Sequence, residues 1–518
     1  MRLLLPLLVL TSAALAQPVA PEPVPAPITW SGHIASIVYQ SCTPCHRPGE
    51  AAPFDLMSYD DCKRRARMIA RVTKSRLMPP WHPVPGHGEF DDCLRLPDNQ
   101  VAAFQEWAKA GAPRGDSKAE PKLPDYPEGW ALGNPDLVVS MKEGYPIPAD
   151  GPDIYRNFVI PVNLGEDMWI TAIEIRPSEP SVVHHCLFFS DDTGEARATE
   201  ERSRRRTGKP GYRGMGRRAG TLGGWAVGGQ PKHLPLNLAY PFPQHSDLVL
   251  AMHFHPTGKA EVEKTTIGFH FAKKAPKRTI LGFMVPPIYG ITAGLDIPAG
   301  EKDFRIRGKI TLPVDTDVVS VGGHAHYLGR KMHAEATLPN GQKRSLFRID
   351  EWAFDWQNRY IYKRPVRLPA GTVVEGWISY DNSKDNPNNQ YSPPRRVRWG
   401  RESTDEMGAI MFACVAAKES ETGRLRSGIR LGMFAGRGNA QMGRFAARLI
   451  ERVKGYDENG DGILKKDELP GRMSQFLGFF DLDADGMIDK EEFKALEERF
   501  GGDGNERGGR GGRRGGGN

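Results

Sequence analysis

Three histidine groups and a methionine in the middle of the chain have the spacing of metal ligands. In Gly322-Gly323-His324-Ala325-His326 the two histidines follow Asp317-Val318-Val319-Ser320-Val321, which reads as a strand. Residues i and i+2 of a strand share a face, so His324 and His326 can reach one ion together. Met252-His253-Phe254-His255-Pro256 repeats the alternation, and either His253 or His255 can supply a further ligand. Val182-Val183-His184-His185-Cys186-Leu187 carries an adjacent pair instead. Neighbours on a regular strand face opposite ways. His184 and His185 therefore share an ion only if the backbone twists or bulges, or if one ring binds through Nδ1 and the other through Nε2. Later, Asp405-Glu406-Met407 opens a strand. A methionine there is ordinarily the strand's first buried residue, but beside a His-x-His pair its thioether is a soft ligand. Two imidazoles plus a thioether suit Cu(I)/Cu(II) better than zinc.

Two other motifs carry different chemistry. Cys42-Thr43-Pro44-Cys45-His46 is the C-x-x-C-H attachment signature of c-type haem, in which both thiols bond the porphyrin and the imidazole becomes an axial ligand. Met78, in Arg76-Leu77-Met78-Pro79-Pro80, offers a thioether on a stiff loop as the sixth ligand, with Met57, Met68, His82 and His87 as substitutes. His/Met ligation raises the reduction potential, which suits a group that passes electrons toward copper or oxygen. Near the C-terminus, Asp457-x-Asn459-x-Asp461-Gly462 ending at Glu468, and Asp481-x-Asp483-x-Asp485-Gly486 ending at Glu492, both match the EF-hand calcium loop. Ile463 and Met487 fall where a backbone carbonyl completes the oxygen set, and Leu464 and Ile488 are placed to pair in a short β contact. Calcium outside cells is high enough to keep weak sites filled, so the expected role of Ca²⁺ is structural.

The elements that must hold these residues follow from pattern and length. At 518 residues the chain needs several cores. Met1-Arg2, the apolar run Leu3 to Leu10 and Ala14-Leu15-Ala16 give the order of a secretory signal over residues 1–16. No later stretch is apolar for long enough to span a bilayer, so the expectation is an exported protein, secreted or periplasmic, that is not membrane-spanning. A Pro-rich linker follows at 17–27. The segment His33 to Tyr39 reads as a helix leading into Cys42, and Asp98 to Gly111 as a second, with Asp98 as its cap and Gly111 and Pro113 as its stop. Residues 28–115 resemble a small all-α cytochrome c domain, inside which Cys62 and Cys93 could form a disulfide. After a linker at 116–129, short strands recur through residue 416, including Met168 to Ile175, Val182 to Ser190, Asp247 to His255, Thr279 to Val285, Thr372 to Tyr380 and Met407 to Ala416. That length suits two all-β sandwiches better than one. A connector at 417–444 leads to the α-helical EF-hand pair at 445–500 and a Gly/Arg-rich tail at 501–518 that reads as disordered. The net charge of +7 is modest and implies no specific nucleic acid partner. Arg202, Arg204, Arg205, Arg206, Lys209, Arg213, Arg217 and Arg218 read as one basic loop, either a solvated insertion or a dock for an acidic cytochrome reductant or an anionic surface.

The series His184-His185, His253, His324-x-His326 and Asp405-Glu406-Met407 resembles the copper type II, ascorbate-dependent monooxygenases, the family of peptidylglycine α-hydroxylating monooxygenase and dopamine β-hydroxylase. The resemblance covers residues 130–416. It implies two jelly-roll-like sandwiches, 130–275 and 276–416, each holding one copper ion. It further implies an electron-transferring site of His184, His185 and His253, and a catalytic site of His324, His326 and Met407 where O₂ and substrate meet. The implied reaction puts one oxygen atom into a C–H bond and releases the other as water. Its two electrons would come here through the haem from an exported donor, an ascorbate-like reductant or a redox protein. The family's peptide-amidating member places Arg two residues before the His-x-His pair and Tyr four after the Met; this chain has Gly322 and Met411 there, which disfavours a peptide carboxylate and leaves an uncharged, unidentified small molecule. The alternatives are a non-catalytic haem and copper redox module, or a copper oxidase that makes peroxide.

Overall fold

The structure is a computed structural model that describes residues 27–500 except 51, 92, 127–128, 215–219, 228, 434–449, 458, 466, 471–479 and 482–485. The signal segment, nearly all of the first linker, the tail, Arg217, Arg218, Asp483 and Asp485 lie outside the described residues. Among the described residues no helix is long and apolar enough to cross a membrane.

The chain divides into two units, one ending at Trp81 and resuming over Leu94–Asp125, the other comprising His82–Cys93 and the chain from Tyr126 onward. The first unit is helical. A π-helical turn Trp30–Ile34 runs into the helix Ala35–Ser41, followed by helices Tyr59–Lys74 and Asp98–Lys109. Ser58 caps the second by accepting from Asp61 N, with acids in its first turn and Arg71 and Lys74 in its last, as the helix dipole favours. Trp30, Ile34, Val38, Phe104 and Trp107 form the buried centre. Asp98 is not the cap expected of it. Pro97 holds that position without a side-chain bond, and Asp98 contributes only its charge to the first turn. Gly111, at φ 82°, ends the helix in the left-handed region glycine favours.

Three further expectations about this region are corrected. Residues 116–125 are not a free linker: Leu123 packs on the helical core and Tyr39 reaches Glu120. Residues 82–93 leave the helical unit and form a strap on the other. Val84 N donates to Arg348 O at 2.9 Å, Asp91 N to Ile361 O at 2.8 Å, and Lys363 N to Glu89 O at 2.9 Å. The Phe90 ring packs 5.0 Å from Tyr362. Finally, Cys62 and Cys93 are both free, Cys62 buried and Cys93 exposed. The sequence pattern could not separate them because spacing alone does not reveal which core a segment joins.

The second unit is built on two β-sandwiches. In the first, one sheet runs Ile154–Pro161, Asp247–Phe254, Val183–Asp191, Gly220–Ala226, and the facing sheet Leu137–Ser140, Thr266–Phe271, Met168–Arg176, Tyr240–Phe242. Phe158, Ile170, Phe188, Leu250, Phe254 and Phe269 fill the space between. In the second sandwich the sheets run Leu281–Val285, Gly408–Ala416, Thr316–Ala325, Arg359–Leu368, and Phe304–Thr311, Val373–Tyr380, Gly329–Thr337, Lys343–Ile349. Neighbours in each sheet are antiparallel, and apart from the hairpin Gly329–Thr337 with Lys343–Ile349 most join strands that are not consecutive in sequence, the jelly-roll-like pattern. The basic segment expected as a loop is largely a helix, Glu195–Thr207, ended by glycines and held by Arg197 on Asp247. The connector likewise contains a helix, Thr422–Met433, that packs on the second sandwich. A Cβ at its Gly428 would come 2.5 Å from Pro313 and one at Gly432 2.6 Å from Ile310, so both must stay glycine for the helix to lie this close. Beyond it, Leu464–Lys465 pairs with Met487–Ile488, with Leu464 opposite Ile488, over a small core of Val453, Leu469, Phe480, Phe493 and Leu496.

The free thiols give a direct check. Alkylation without prior reduction is expected to modify Cys93 in the native protein and Cys62 only after denaturation, read by peptide mass; a peptide pair released only by reductant would contradict the assignment.

Candidate metal centre

The first histidine group is assembled by two adjacent strands and one irregularity. His185 on Val183–Asp191 pairs with His253 on Asp247–Phe254, while Val183 pairs with Phe254, so His184 is the extra residue of a bulge. The bulge turns His184 to the side already occupied by His185, which a regular strand forbids. His184 Nδ1 lies 3.0 Å from His185 Nδ1, and His253 Nδ1 3.3 Å from the same atom. Of the two routes open to an adjacent pair, the chain takes the bulge, and all three rings turn the same nitrogen inward. His184, His185 and His253 each offer a nitrogen within 4.8 Å of the others. His255 is not the third member: its exposed ring bonds Asp153 Oδ1 at 2.7 Å.

Outer partners fix which nitrogen faces in. His184 Nε2 is 3.3 Å from Asp355 Oδ1. His253 Nε2 is 3.0 Å from Asp153 Oδ2, an ion-pair distance without the alignment of a hydrogen bond. A proton held on the far nitrogen leaves the near one as a lone pair, the state a metal requires. Burial raises Asp153, but the adjacent His253 ring and the bonds from His255 and Ser403 outweigh it and hold its carboxyl well below the usual range. Burial, helped by the neighbouring His184 and opposed by Asp153, pushes His253 down to about 4. Burial, and then the neighbouring His253, His184, His324 and His326, push His185 well below the usual imidazole range.

The second group stands on the corresponding pair of neighbouring strands in the other sandwich. His324 is opposite Ala409 and Ala325 opposite Gly408, where this ladder ends; His326 follows the one strand and Met407 precedes the other. The His324 and His326 rings are 5.3 Å apart. His324 Nδ1 donates to Gln357 Oε1 at 2.5 Å and His326 Nδ1 to the Asp405 carbonyl at 3.1 Å, leaving both Nε2 lone pairs free. Burial and the nearby His324 push His326 down to about 3. Glu406, fully buried, accepts from His326 N at 3.0 Å, Leu328 N at 2.6 Å and Met407 N at 3.2 Å. One carboxylate thus sets the backbone of both ligand segments, although burial pushes it up to about 8 against the pull of those donors.

Phe354 lies between the groups. Its ring is 5.2 Å from His184, 5.8 Å from His253 and 5.9 Å from His326. The seam is also tied polar to polar, since Asp153 of the first sandwich accepts from Ser403 at 3.0 Å and Tyr327 at 3.4 Å of the second. Gly322 and Met411 are direct partners on the ladder, and Tyr289 donates to Met411 Sδ at 3.7 Å. Asp153, Phe354, Asp355, Gln357 and Glu406 were not foreseen. They are single residues in loops, and only the crowding of Trp352, Phe354, Asp355, Trp356 and Gln357 in one short segment marks the place.

The other motifs have local order of their own. His46 N donates to Cys42 O at 2.9 Å, so Cys42, Cys45 and His46 share one turn, and His46 Nδ1 is 2.9 Å from Phe54 O, which leaves Nε2 as the free ligand atom. Burial pushes the Cys42 thiol up to about 12 and Cys45 up to about 11. His82 and His87 lie in the strap, His87 on Ser345 at 2.7 Å, and so leave the unit that contains His46; Met57, Met68 and Met78 remain in it. In the first calcium-type loop Asp457 accepts from Gly460 N and Gly462 N, Asn459 from Asp461 N, Asp461 from Ile463 N and Glu468 from Lys465 N. In the second, Asp481 accepts from Gly486 N and Glu492 from Asp489 N.

No protein-family model matches the sequence, and no curated protein does either. Among solved structures, PNGF-II is similar at 10% identity over 54% of this chain and 65% of its own length, with a TM-score of 0.22. The major capsid protein P2 of bacteriophage PM2 is 9% identical over 51% of this chain and 97% of its own, with a TM-score of 0.21. Broad Bean Stain Virus gives 7% over 57% and 92%, with a TM-score of 0.22. Nothing about function follows from likenesses of that size.

Two outcomes follow from the electrostatics. An unfolded His takes a proton near 6.5 whereas buried His253 does so only near 4, so between these values the unfolded state binds more protons and stability falls as pH falls. Urea unfolding of metal-free protein should show this loss, on the order of 3 kcal/mol for His253 alone, and His253→Gln should flatten it. Glu406→Gln turns an NH₂ toward backbone donors and should cost about 1–3 kcal/mol; an unchanged unfolding midpoint would contradict the role given to Glu406.

Proposed function

We propose that this chain is an exported copper-dependent monooxygenase that hydroxylates a C–H bond of a small, uncharged substrate with O₂, supplied with electrons through its own c-type haem unit. The observation that carries the reading is that His184, His185 and His253 converge within 4.8 Å while the His324 and His326 rings lie 5.3 Å apart, with Asp355, Gln357 and the Asp405 carbonyl holding the outer nitrogens of His184, His324 and His326. His184, His185 and His253 make an all-nitrogen set suited to electron transfer. His324, His326 and Met407 make a mixed set whose thioether favours the reduced ion. Copper bound at these sets supplies one-electron transfer at the first and activation of O₂ at the second.

The chain's own residues then divide the remaining work. Asp153 and Asp355 hold the outer faces of the first set, and Gln357 and the Asp405 carbonyl hold His324 and His326, so no ligand ring has to turn or lose a proton when the metal changes charge. Met411 and Gly322 offer no cation to a carboxylate, and Tyr289, 5.6 Å from His324, adds an aromatic wall. An apolar substrate matches that lining. Cys42 and Cys45 would carry haem c with His46 Nε2 and Met78 as axial ligands, receiving electrons from an exported reductant or redox protein. Asp457, Asn459, Asp461, Ile463, Glu468 and Asp481, Asp483, Asp485, Met487, Glu492 would hold two structural Ca²⁺ ions in an EF-hand pair.

The test uses full-length protein loaded with haem and copper, reduced, and supplied with ¹⁸O₂ and a panel of small apolar substrates. Label should enter the product in wild type and disappear in Met407→Ile. Cys45→Ser should abolish turnover driven by a protein donor while sparing turnover driven by ascorbate. Peroxide without incorporation would instead assign an oxidase, and no O₂ uptake a non-catalytic redox module.

A further inference from the structure

One short loop touches both histidine groups. It joins the strands Lys343–Ile349 and Arg359–Leu368 of the second sandwich. Asp355 reaches His184 of the first group, and Gln357 holds His324 of the second. Phe354, the residue before Asp355, stacks on His184 at 22° and faces His326 edge-on at 82°. The loop is also closed on itself, with Gln357 Nε2 donating to Phe354 O at 3.0 Å and Trp356 N to Ala353 O at 3.2 Å. A displacement of Asp355 is therefore felt at Gln357 through a rigid turn of three residues.

The base of the loop is clamped and its apex is not. Both flanking strands are bonded to the strap 82–93, through Val84 to Arg348 on one side and Asp91 to Ile361 on the other. Phe354 is buried against His184, His326 and Tyr327, whereas Asp355 is exposed and meets His184, so the histidines hold the outer side of the apex. An ion that pins His184 restrains Asp355, and with it Phe354 and Gln357. The cost of ordering His324 has then already been met when the second ion arrives.

The geometry points to residues 354–357 as a coupling loop, by which filling one histidine group raises the metal affinity of the other. Linkage makes the effect reciprocal, and couplings of this kind fall in the range of roughly 5–150-fold. The inference rests on the reading of both groups as copper sites. It adds that they load together, so that a chain with one ion is a minor species at half saturation. It also makes Asp355 and Gln357 positioning residues that act on the site each does not touch.

Copper titration of the metal-stripped full chain tests this, with competing chelators to give affinity and electron paramagnetic resonance to tell a three-nitrogen site from one with sulfur. Removing the first group by His184→Ala with His185→Ala should weaken copper at His324 and His326 by about tenfold. The same removal in a Phe354→Ala background should change it less than twofold. Gln357→Leu, which touches only the second group, should weaken the first, and circular dichroism reports whether each variant is folded. Two ions bound with affinities independent of each other would overturn the coupling and leave the copper reading standing; no copper at either group would overturn both.

Discussion

Ring nitrogens that face one another across 3 Å cannot all keep a proton, and this constraint shapes the site. In the first group three Nδ1 atoms converge on one point. A neutral imidazole carries one N–H, so the carboxylates outside His184 and His253 favour lone pairs on the inner atoms of those two rings. Lone pairs aimed at each other repel, and a cation between them removes the repulsion. The strands, the bulge at His184 and the buried neutral state of His185 and His253 serve to keep that arrangement intact without the ion.

The two halves solve the same problem with the same pair of sheet positions. In each sandwich the histidine group stands on the central strands of one sheet or directly beyond their end, and its outer partners come from other segments. The difference lies in who lends them. His184 takes its carboxylate from the other sandwich, through Asp355, while Asp153 of the first sandwich accepts from Ser403 and Tyr327 of the second. Closing the seam between the sandwiches is thus part of building both groups.

Sequence pattern carried the strands and the grouping of the histidines, and it did so where the physics is periodic. Alternation placed His324 with His326, the Leu464–Ile488 contact followed from loop position, and adjacency at His184 and His185 demanded a bulge that is present. What could not be read depends on contacts between segments remote in sequence. Asp153, Asp355, Gln357 and Glu406 have no spacing relation to the histidines they hold. The choice of His253 over His255 turned on a single exposed carboxylate contact. The division of 82–93 from its flanks was equally invisible, because a short polar-aromatic stretch reads alike as a domain's own loop or as an added strand-like edge on its neighbour.

That strap has an architectural consequence. Because the chain leaves the helical unit at Trp81 and re-enters at Leu94, neither unit is a bead that can be cut from a string. A construction that excises the helical unit as one contiguous piece carries off backbone groups that complete the edges of two strands beneath the loop, while one that keeps those groups leaves the helical unit without its third helix. Gene fusion or exchange at either boundary would therefore cut through backbone that one of the two units needs.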